Sequence, residues 1–274
     1  MTVVRAPASS ANLGPGFDVL GLALDRYAYA SDEGDGGGSA DHCWDNHIAR
    51  VAYELAGGKG DVWFRFEFPP ARGMGFSAAA RAAGAGLAFA QQGAETEELQ
   101  DETYRIVSEL EGHADNAAPA VFGGIHVVTS EGCHRLAAQL PGELLIWVPH
   151  EASTSTDENR ATLTPTVARE DAVFNLGRLG LLLAALYEQN IDLLHQATGD
   201  RLHQAGRFAL QPLSAEAYEA AIGAGAAAAW LSGSGPSVGI VAHPGRAHVI
   251  ETALPKDGDL LYVATDLAGT IEVL

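Results

Sequence analysis

The chain has 274 residues, enough for one large domain or two modest ones with a sizeable core. Hydrophobic residues make up 47% and charged residues 19%, yet 35 Asp and Glu stand against 16 Lys and Arg, a formal net charge of −19. So acidic a chain argues against nucleic acid, whose phosphates demand a dense basic face, and against docking on an anionic membrane.

The N-terminus predicts a strand over Thr2 to Ala6, a polar loop from Pro7 to Phe17, and a second apolar segment from Val19 to Ala30. Ser31 to Ala40, rich in glycine and acid, reads as an exposed loop. Ile48, Val51, Ala52 and Leu55 recur at helical spacing within a helix from about Asp45 to Leu55, which Gly57-Gly58 would stop. Val62, Phe64, Phe66 and Phe68 alternate with Trp63, Arg65 and Glu67, the period of a half-buried strand over Asp61 to Phe68. A glycine turn, Arg72 to Ser77, runs into an alanine-rich helix through about Gln91, and another helix spans Glu95 to Glu111. Ile125 to Thr129 and Leu144 to Pro149 read as buried strands, Asp171 to Glu188 and Ser214 to Gly223 as helices. The strand Ala227 to Ser232 leads to a second glycine turn, Ser232 to Pro236, then the strand Ser237 to Ala242. Strands near Leu260 to Ala264 and Gly269 to Val273 close the chain. Strands and helices interleave without regular βαβ alternation, which favours an α+β fold; two lobes, 1–150 and 151–274, fit the length.

No run reaches the roughly 18 apolar residues of a membrane span, and no basic-then-apolar leader opens the chain. Cys43 and Cys133 form no CxxC, so neither a disulfide framework nor a zinc site is suggested. A cytoplasmic protein is expected. The acids are scattered and only Lys59 and Lys256 are lysine. Of two readings, a dedicated cation-binding surface and adaptation to a salt-rich (halophilic) cytoplasm, the second is preferred, since salt screens the self-repulsion of such a charge.

Four segments carry chemistry. Pro69 to Ala80 joins a glycine turn to a helix start, where backbone N–H groups and the helix dipole accept an anion. It is not a Walker A loop, lacking Gly-Lys-[Ser/Thr], nor a Rossmann fingerprint. Taken alone it is either a plain helix entry or a phosphate site. Pro7 to Asp18 offers an amide and a carboxylate in a glycine-containing loop. Glu111-Gly112-His113-Ala114-Asp115-Asn116 gathers two acids, an imidazole and an amide, as a site or as a capped helix end. Ser232 to Ser237 is a second flexible turn after an apolar strand.

In order and content these segments resemble the GHMP small-molecule kinases, and among them the homoserine kinase branch. The opening Pro7 to Asp18 is similar to that branch's N-terminal segment almost letter for letter, as is Glu111 to Pro119 with Phe122-Gly123-Gly124. Ser155-Thr156 with Arg160, Asp171 to Asn175, and Leu231 to Ser237 match in family order, so the resemblance covers nearly the whole chain. It implies a ribosomal-protein-S5-like N-terminal lobe carrying the phosphate loop and a ferredoxin-like C-terminal lobe. It implies ATP-dependent phosphorylation of the L-homoserine hydroxyl to O-phospho-L-homoserine, in threonine biosynthesis, with a small-molecule partner and room for a homodimer. Arg72, Gly73, Met74, Gly75, Phe76, Ser77 and Ala78, with Thr156, would meet the nucleotide phosphates, and Ser77 and Glu111 would lie near Mg²⁺. Asn12, Asp18, His113, Arg160 and Arg207 would form the amino-acid pocket. Arginine suits a carboxylate and Asp18 an ammonium, while Asn12 or His113 would orient the hydroxyl. The resemblance would align Asn116 with an aspartate that is a plausible base in several other GHMP kinases. An amide cannot take the proton, so the expectation is direct in-line transfer with no covalent intermediate and no strong protein base.

Departures gather on the nucleotide side. Phe76 replaces the first serine of the usual Gly-Leu-Gly-Ser-Ser turn, Asp157 stands where a lysine is common, and the stretch between Tyr27 and Asp45 is short. Homoserine phosphorylation therefore stands beside a kinase with another alcohol or donor, and beside a non-catalytic descendant.

Overall fold

The computed structural model of the chain describes residues 1–34, 41–151, 163 and 166–273. Two long strands, β1 (Val3–Ala11) and β2 (Leu20–Ser31), pair antiparallel and form the spine of a seven-stranded sheet. Its order is β11-β1-β2-β4-β3, with β3 (Asp41–His42), β4 (Trp63–Phe66) and β11 (Ile271–Glu272). Strand β5 (Ile125–Thr129) also pairs with β2, and β6 (Gly132–Ala137) pairs with β5. Helices α1 (Ile48–Leu55), α2 (Phe76–Gln91), α3 (Thr96–Glu111) and α4 (Ala117–Phe122) share the main hydrophobic core with this sheet. Ten residues of α2, mostly alanine, are buried, so this helix is wrapped by its neighbours instead of presenting one apolar stripe.

A second antiparallel sheet runs β10-β7-β9-β8, from β7 (Glu143–Pro149), β8 (Ala228–Leu231), β9 (Val238–Ala242) and β10 (Gly258–Val263). Leu145, Trp147 and Ile240 of this sheet bury against Ala217 and Ala221 of α8 (Pro212–Gly223) and Ile250 of α9 (Ala247–Ala253). Helices α5 (Arg169–Glu188), α6 (Leu194–Ala197) and α7 (Gln204–Leu210) follow in the chain, α5 touching β6 of the first sheet and α6 touching β8 of the second. All strand pairs are antiparallel and the helices are segregated, the α+β arrangement expected. The two sheets share the chain unevenly: β7 joins the second sheet, and β11 returns to pair with β1 of the first.

Several elements differ from the sequence expectation. Pro7 to Ala11 belongs to β1, not to a loop, with a register shift between Pro7 and Ala8. Ser9 and Ser10 gave that stretch its polar look, yet both are fully buried with hydrogen-bonded hydroxyls. The first helix starts at Ile48, where the His47 ring accepts from the Ala49 N–H, so Asp45 lies outside it. Strands β3 and β6 and helices α4, α6, α7 and α9 escaped the reading because each is at most seven residues long. Phe64 and Phe68 are buried as the alternation over Asp61 to Phe68 predicts, but Phe66 is 43% exposed even though its ring packs edge-on against Phe76.

Candidate active site

Four glycine-bearing segments meet at one cleft of about 430 Å³, lined by the opening loop, the 71–78 turn, the 111–116 segment, Arg207 and the 233–235 turn. Backbone bonds join them: Ser9 N–H donates to Met74 O and Gly233 N–H to Ala11 O. A buried relay ties the same loops through side chains. Trp230 Nε1 donates to Ser10 Oγ (3.0 Å), Ser10 is 2.7 Å from Ser232 Oγ, and Ser232 donates to the Gly73 carbonyl (2.6 Å). Indole can only donate and a carbonyl can only accept, so Ser10 must give its proton to Ser232. Close approach explains the turn's glycines. A Cβ on Gly75, at φ +63°, would fall 1.9 Å from Ser9 Oγ and 3.0 Å from Asn116 Oδ1.

At one end of the cleft, Asn12 and Asp18 hold left-handed φ values of 75° and 56°, costly for non-glycine residues. The surrounding bonds enforce them: Asn12 Oδ1 accepts from Asp18 N–H (3.0 Å) while Asn12 Nδ2 donates to Gly233 O (2.8 Å). Arg207, from α7, donates through Nη1 to the same Gly233 carbonyl (3.0 Å) and lies 5.3 Å over the Phe17 ring. That nitrogen is also 3.0 Å from His203 Nδ1, and His203 Nε2 is 2.8 Å from Gly14 O. Burial drives the His203 imidazole below its ordinary range, with Asp200 opposing. A neutral ring that donates from Nε2 leaves Nδ1 to accept from the arginine. Asp200 accepts from the N–H groups of Leu202, His203 and Gln204 and from Asn175 Nδ2, which locks the entry to α7. Across the cleft, Asp115 accepts from His113 Nδ1 (3.0 Å) and from Asn116 N–H (2.9 Å). Ser9 Oγ donates to Asn116 Oδ1 (2.8 Å), so the amide oxygen is engaged.

At the other end stands the start of α2. Gly75 caps it in left-handed conformation, and Gly73 to Ala78 line the cleft. The Phe76 ring packs edge-on to Phe66 (5.1 Å), Phe64 (6.0 Å) and Phe68 (6.1 Å), so it forms the wall toward β4. Arg72 lines the cleft but spends Nε on Pro149 O (3.1 Å) and Nη2 on His150 O (2.8 Å), pinning the turn to the end of β7. Ser77 Oγ donates to Glu111 Oε1 (2.5 Å), and Arg81, one turn further along α2, donates to both Ser77 Oγ (2.8 Å) and Glu111 Oε1. A hydroxyl and a carboxylate beside an anion-accepting helix start are hard oxygen donors of the kind that hold Mg²⁺ when phosphate oxygens and water complete the shell, so these residues fit that ion. Among the described residues no group of three or more His, Cys, Asp or Glu gathers as a self-sufficient metal cage.

Of the residues singled out in the sequence, Asn12, Asp18, Arg72, Gly73, Met74, Gly75, Phe76, Ser77, Ala78, Glu111, His113, Asn116 and Arg207 all line this cleft. Thr156, Asp157 and Arg160 lie outside the described residues. The reading missed Arg81 and the Trp230–Ser10–Ser232 relay. Arg81 was findable, since i and i+4 on a helix share a face; the relay joins residues more than 200 apart and left no local signal.

Family models for the GHMP kinase N-terminal domain and C-terminal segment match residues 46–124 and 182–260. A homoserine kinase of Desulfitobacterium hafniense is 36% identical, covering 93% of this chain and 91% of that relative. A homoserine kinase of Thermus thermophilus is 38% identical over 90% of this chain and 89% of its own length. The crystal structure of homoserine kinase from Cytophaga hutchinsonii superposes with a TM-score of 0.81 at 27% identity, covering 99% and 97% of the two chains.

Proposed function

The chain belongs to the homoserine kinase family of the GHMP kinases, and we propose that it transfers the γ-phosphoryl group of ATP to the hydroxyl of L-homoserine, giving O-phospho-L-homoserine on the way to threonine. The observation that carries this reading is that one cleft gathers two chemically distinct groups of residues. Asn12, Asp18, His113 and Arg207 form one, and a glycine turn with Ser77 and Glu111 the other. Halves 1–150 and 151–274 both contribute, the second through Arg207 and the 233–235 turn.

Phosphoryl transfer passes through a loose transition state, so the protein's work is positioning and charge neutralisation. In this reading Arg207 takes the homoserine carboxylate and Asp18 its ammonium, with Arg160 as a second cation. Arg207 is buried and its geometry is set by Gly233 O and His203, so little freedom is lost on binding. The hydroxyl is oriented by Asn12 or His113, whose ring is fixed through Nδ1 by Asp115. Asn116 cannot accept a proton, and its amide oxygen already takes the Ser9 hydroxyl. No side chain is assigned as a strong base; as the acceptor O–P bond forms and the bond to ADP breaks, the hydroxyl proton passes to an oxygen of the transferred phosphoryl group and from there to solvent. The backbone N–H groups of the 73–78 turn, with Thr156, receive the phosphates. Ser77 and Glu111 would hold Mg²⁺, which would supply charge neutralisation to the phosphates. Arg72 acts by holding the turn in place.

Phe76 enters as a wall residue: its ring faces three phenylalanines of the β4 segment, which leaves the turn's backbone open to phosphate. The scattered acids are read as adaptation to a salt-rich cytoplasm, where the protein works as a soluble enzyme and has room to pair as a homodimer. The test is a panel of small alcohols with MgATP in molar KCl, read as ADP formed. L-homoserine is expected to be the preferred acceptor; turnover of another alcohol with none of homoserine overturns the reading.

A further inference from the structure

Arg81 is not accounted for by the acceptor pocket or the phosphate turn, yet it touches the two atoms best suited to a divalent cation. It follows Ser77 by four residues on α2, so both side chains point to the same face. Its Nη1 donates to Ser77 Oγ at 2.8 Å and also to Glu111 Oε1. Ser77 Oγ in turn gives its own proton to that oxygen at 2.5 Å. Glu111 Oε1 thus already receives two donors, which uses the acceptor sites of one carboxylate oxygen. The Glu111 side chain is only 8% exposed and that of Arg81 20%, so the pair lies where water screens poorly. A carboxylate so enclosed needs a cation beside it, and the guanidinium is that cation. A doubly charged ion reaching Ser77 and Glu111 meets it at contact distance, and two cations cannot share that place without strong repulsion.

We propose that Arg81 is the resident counter-cation of the Ser77–Glu111 site: its guanidinium and a divalent cation compete for the same two oxygens, so metal entry requires Arg81 to let go. Arg81 is thereby a positioning residue that sets the metal affinity of the site. It neutralises Glu111 and holds the carboxylate toward Ser77, and it makes the site selective against weak cation binding. In a salt-rich solvent this keeps monovalent ions from settling on Glu111, because only an ion that gains more than the guanidinium loses can displace it. The inference rests on the assignment of Ser77 and Glu111 as metal donors, not on the identity of the acceptor alcohol.

The test is binding of Mn²⁺ alone, counted as free ion by electron paramagnetic resonance, to the full chain in molar KCl without nucleotide. Glu111→Gln identifies the binding that belongs to this site as the part it abolishes. Arg81→Met, which keeps the aliphatic volume, is expected to tighten that part about tenfold through removal of the competing charge. Arg81→Lys, which keeps the charge but loses the planar fork, is expected to fall between it and the wild type. Should Arg81→Met fail to fold by circular dichroism, the lysine variant decides alone: tighter binding than wild type supports the competition. Unchanged or weaker Mn²⁺ binding in the folded variants overturns it and makes the pair a static structural bridge. Failure of the acceptor assignment would appear in the alcohol panel and leave this titration untouched.

Discussion

The two ends of the cleft are built to different standards. At the acceptor end most polar side chains are held by another segment of the chain: Asn12 by Gly233, Arg207 by Gly233 as well as by His203 on its own helix, Asn116 by Ser9; His113 is held within its own segment by Asp115. At the nucleotide end the ligand-facing groups are backbone N–H groups of one turn, and the side chains there bond mainly to one another: Ser77, Arg81 and Glu111. A pocket that reads a small zwitterion through fixed side chains loses function when one is altered. A turn proposed to read phosphate through its backbone is expected to accept a phenylalanine at Phe76, provided the ring has an apolar wall to lean on. Phe64, Phe66 and Phe68 supply that wall.

The sharpest way to break the comparison is Arg207→Met. Loss of a buried cation for the substrate carboxylate is expected to lower kcat/KM for homoserine about 10³-fold, with KM for ATP changed no more than about twofold. Equal loss toward both substrates would mean the ends are not separate. Next in size is Ser232→Ala. It leaves the buried Ser10 hydroxyl and Gly73 carbonyl without their partner and should cost about 1–3 kcal/mol in denaturant unfolding. A change near zero would show that the relay does not hold the loops together.

Acid should discriminate between the ends. The buried His203 ring titrates below its unfolded value, so the folded state binds fewer protons than the unfolded one. Its contribution to stability is therefore full above the ordinary histidine range, about pH 6.5, and falls away as pH drops through it. Protonation also ends the acceptance from Arg207. KM for homoserine is expected to rise a few-fold, about threefold, on the acid side before KM for ATP moves. His203→Gln, which keeps donor and acceptor without the titration, should flatten that rise. The smallest effect belongs to Phe76→Ser: KM for ATP is expected to shift less than about threefold, since the ring serves as wall and not as ligand. A gain of tenfold or more would mean that it obstructs the phosphates.

Much of this arrangement was legible in the sequence, for reasons that differ by element. Helices α2 and α3 and strand β7 are long or strongly patterned, so burial alone marks them. Seven-residue α7 carries no such pattern, and Arg207 on it could be picked out only through resemblance. Ser9 and Ser10 misled because serine is usually exposed, and only the folded chain brings Asn116, Ser232 and Trp230 to their hydroxyls. Phe76 alarmed for the opposite reason: its bulk is plain in sequence, while the aromatic face that absorbs it is spread over Phe64, Phe66 and Phe68. Helix spacing could place Arg81 beside Ser77, but its pairing with Glu111, 30 residues away on another helix, becomes visible only once α2 and α3 are packed.

The central claim is that one cleft brings ATP and a zwitterionic alcohol together for direct transfer. It is tested most directly by ³¹P NMR of the wild-type chain with MgATP and L-homoserine in molar KCl. A phosphomonoester resonance, coupled to the adjacent methylene protons, is expected to grow in step with ADP. ADP with inorganic phosphate and no phosphomonoester, or no consumption of ATP at all, would contradict it.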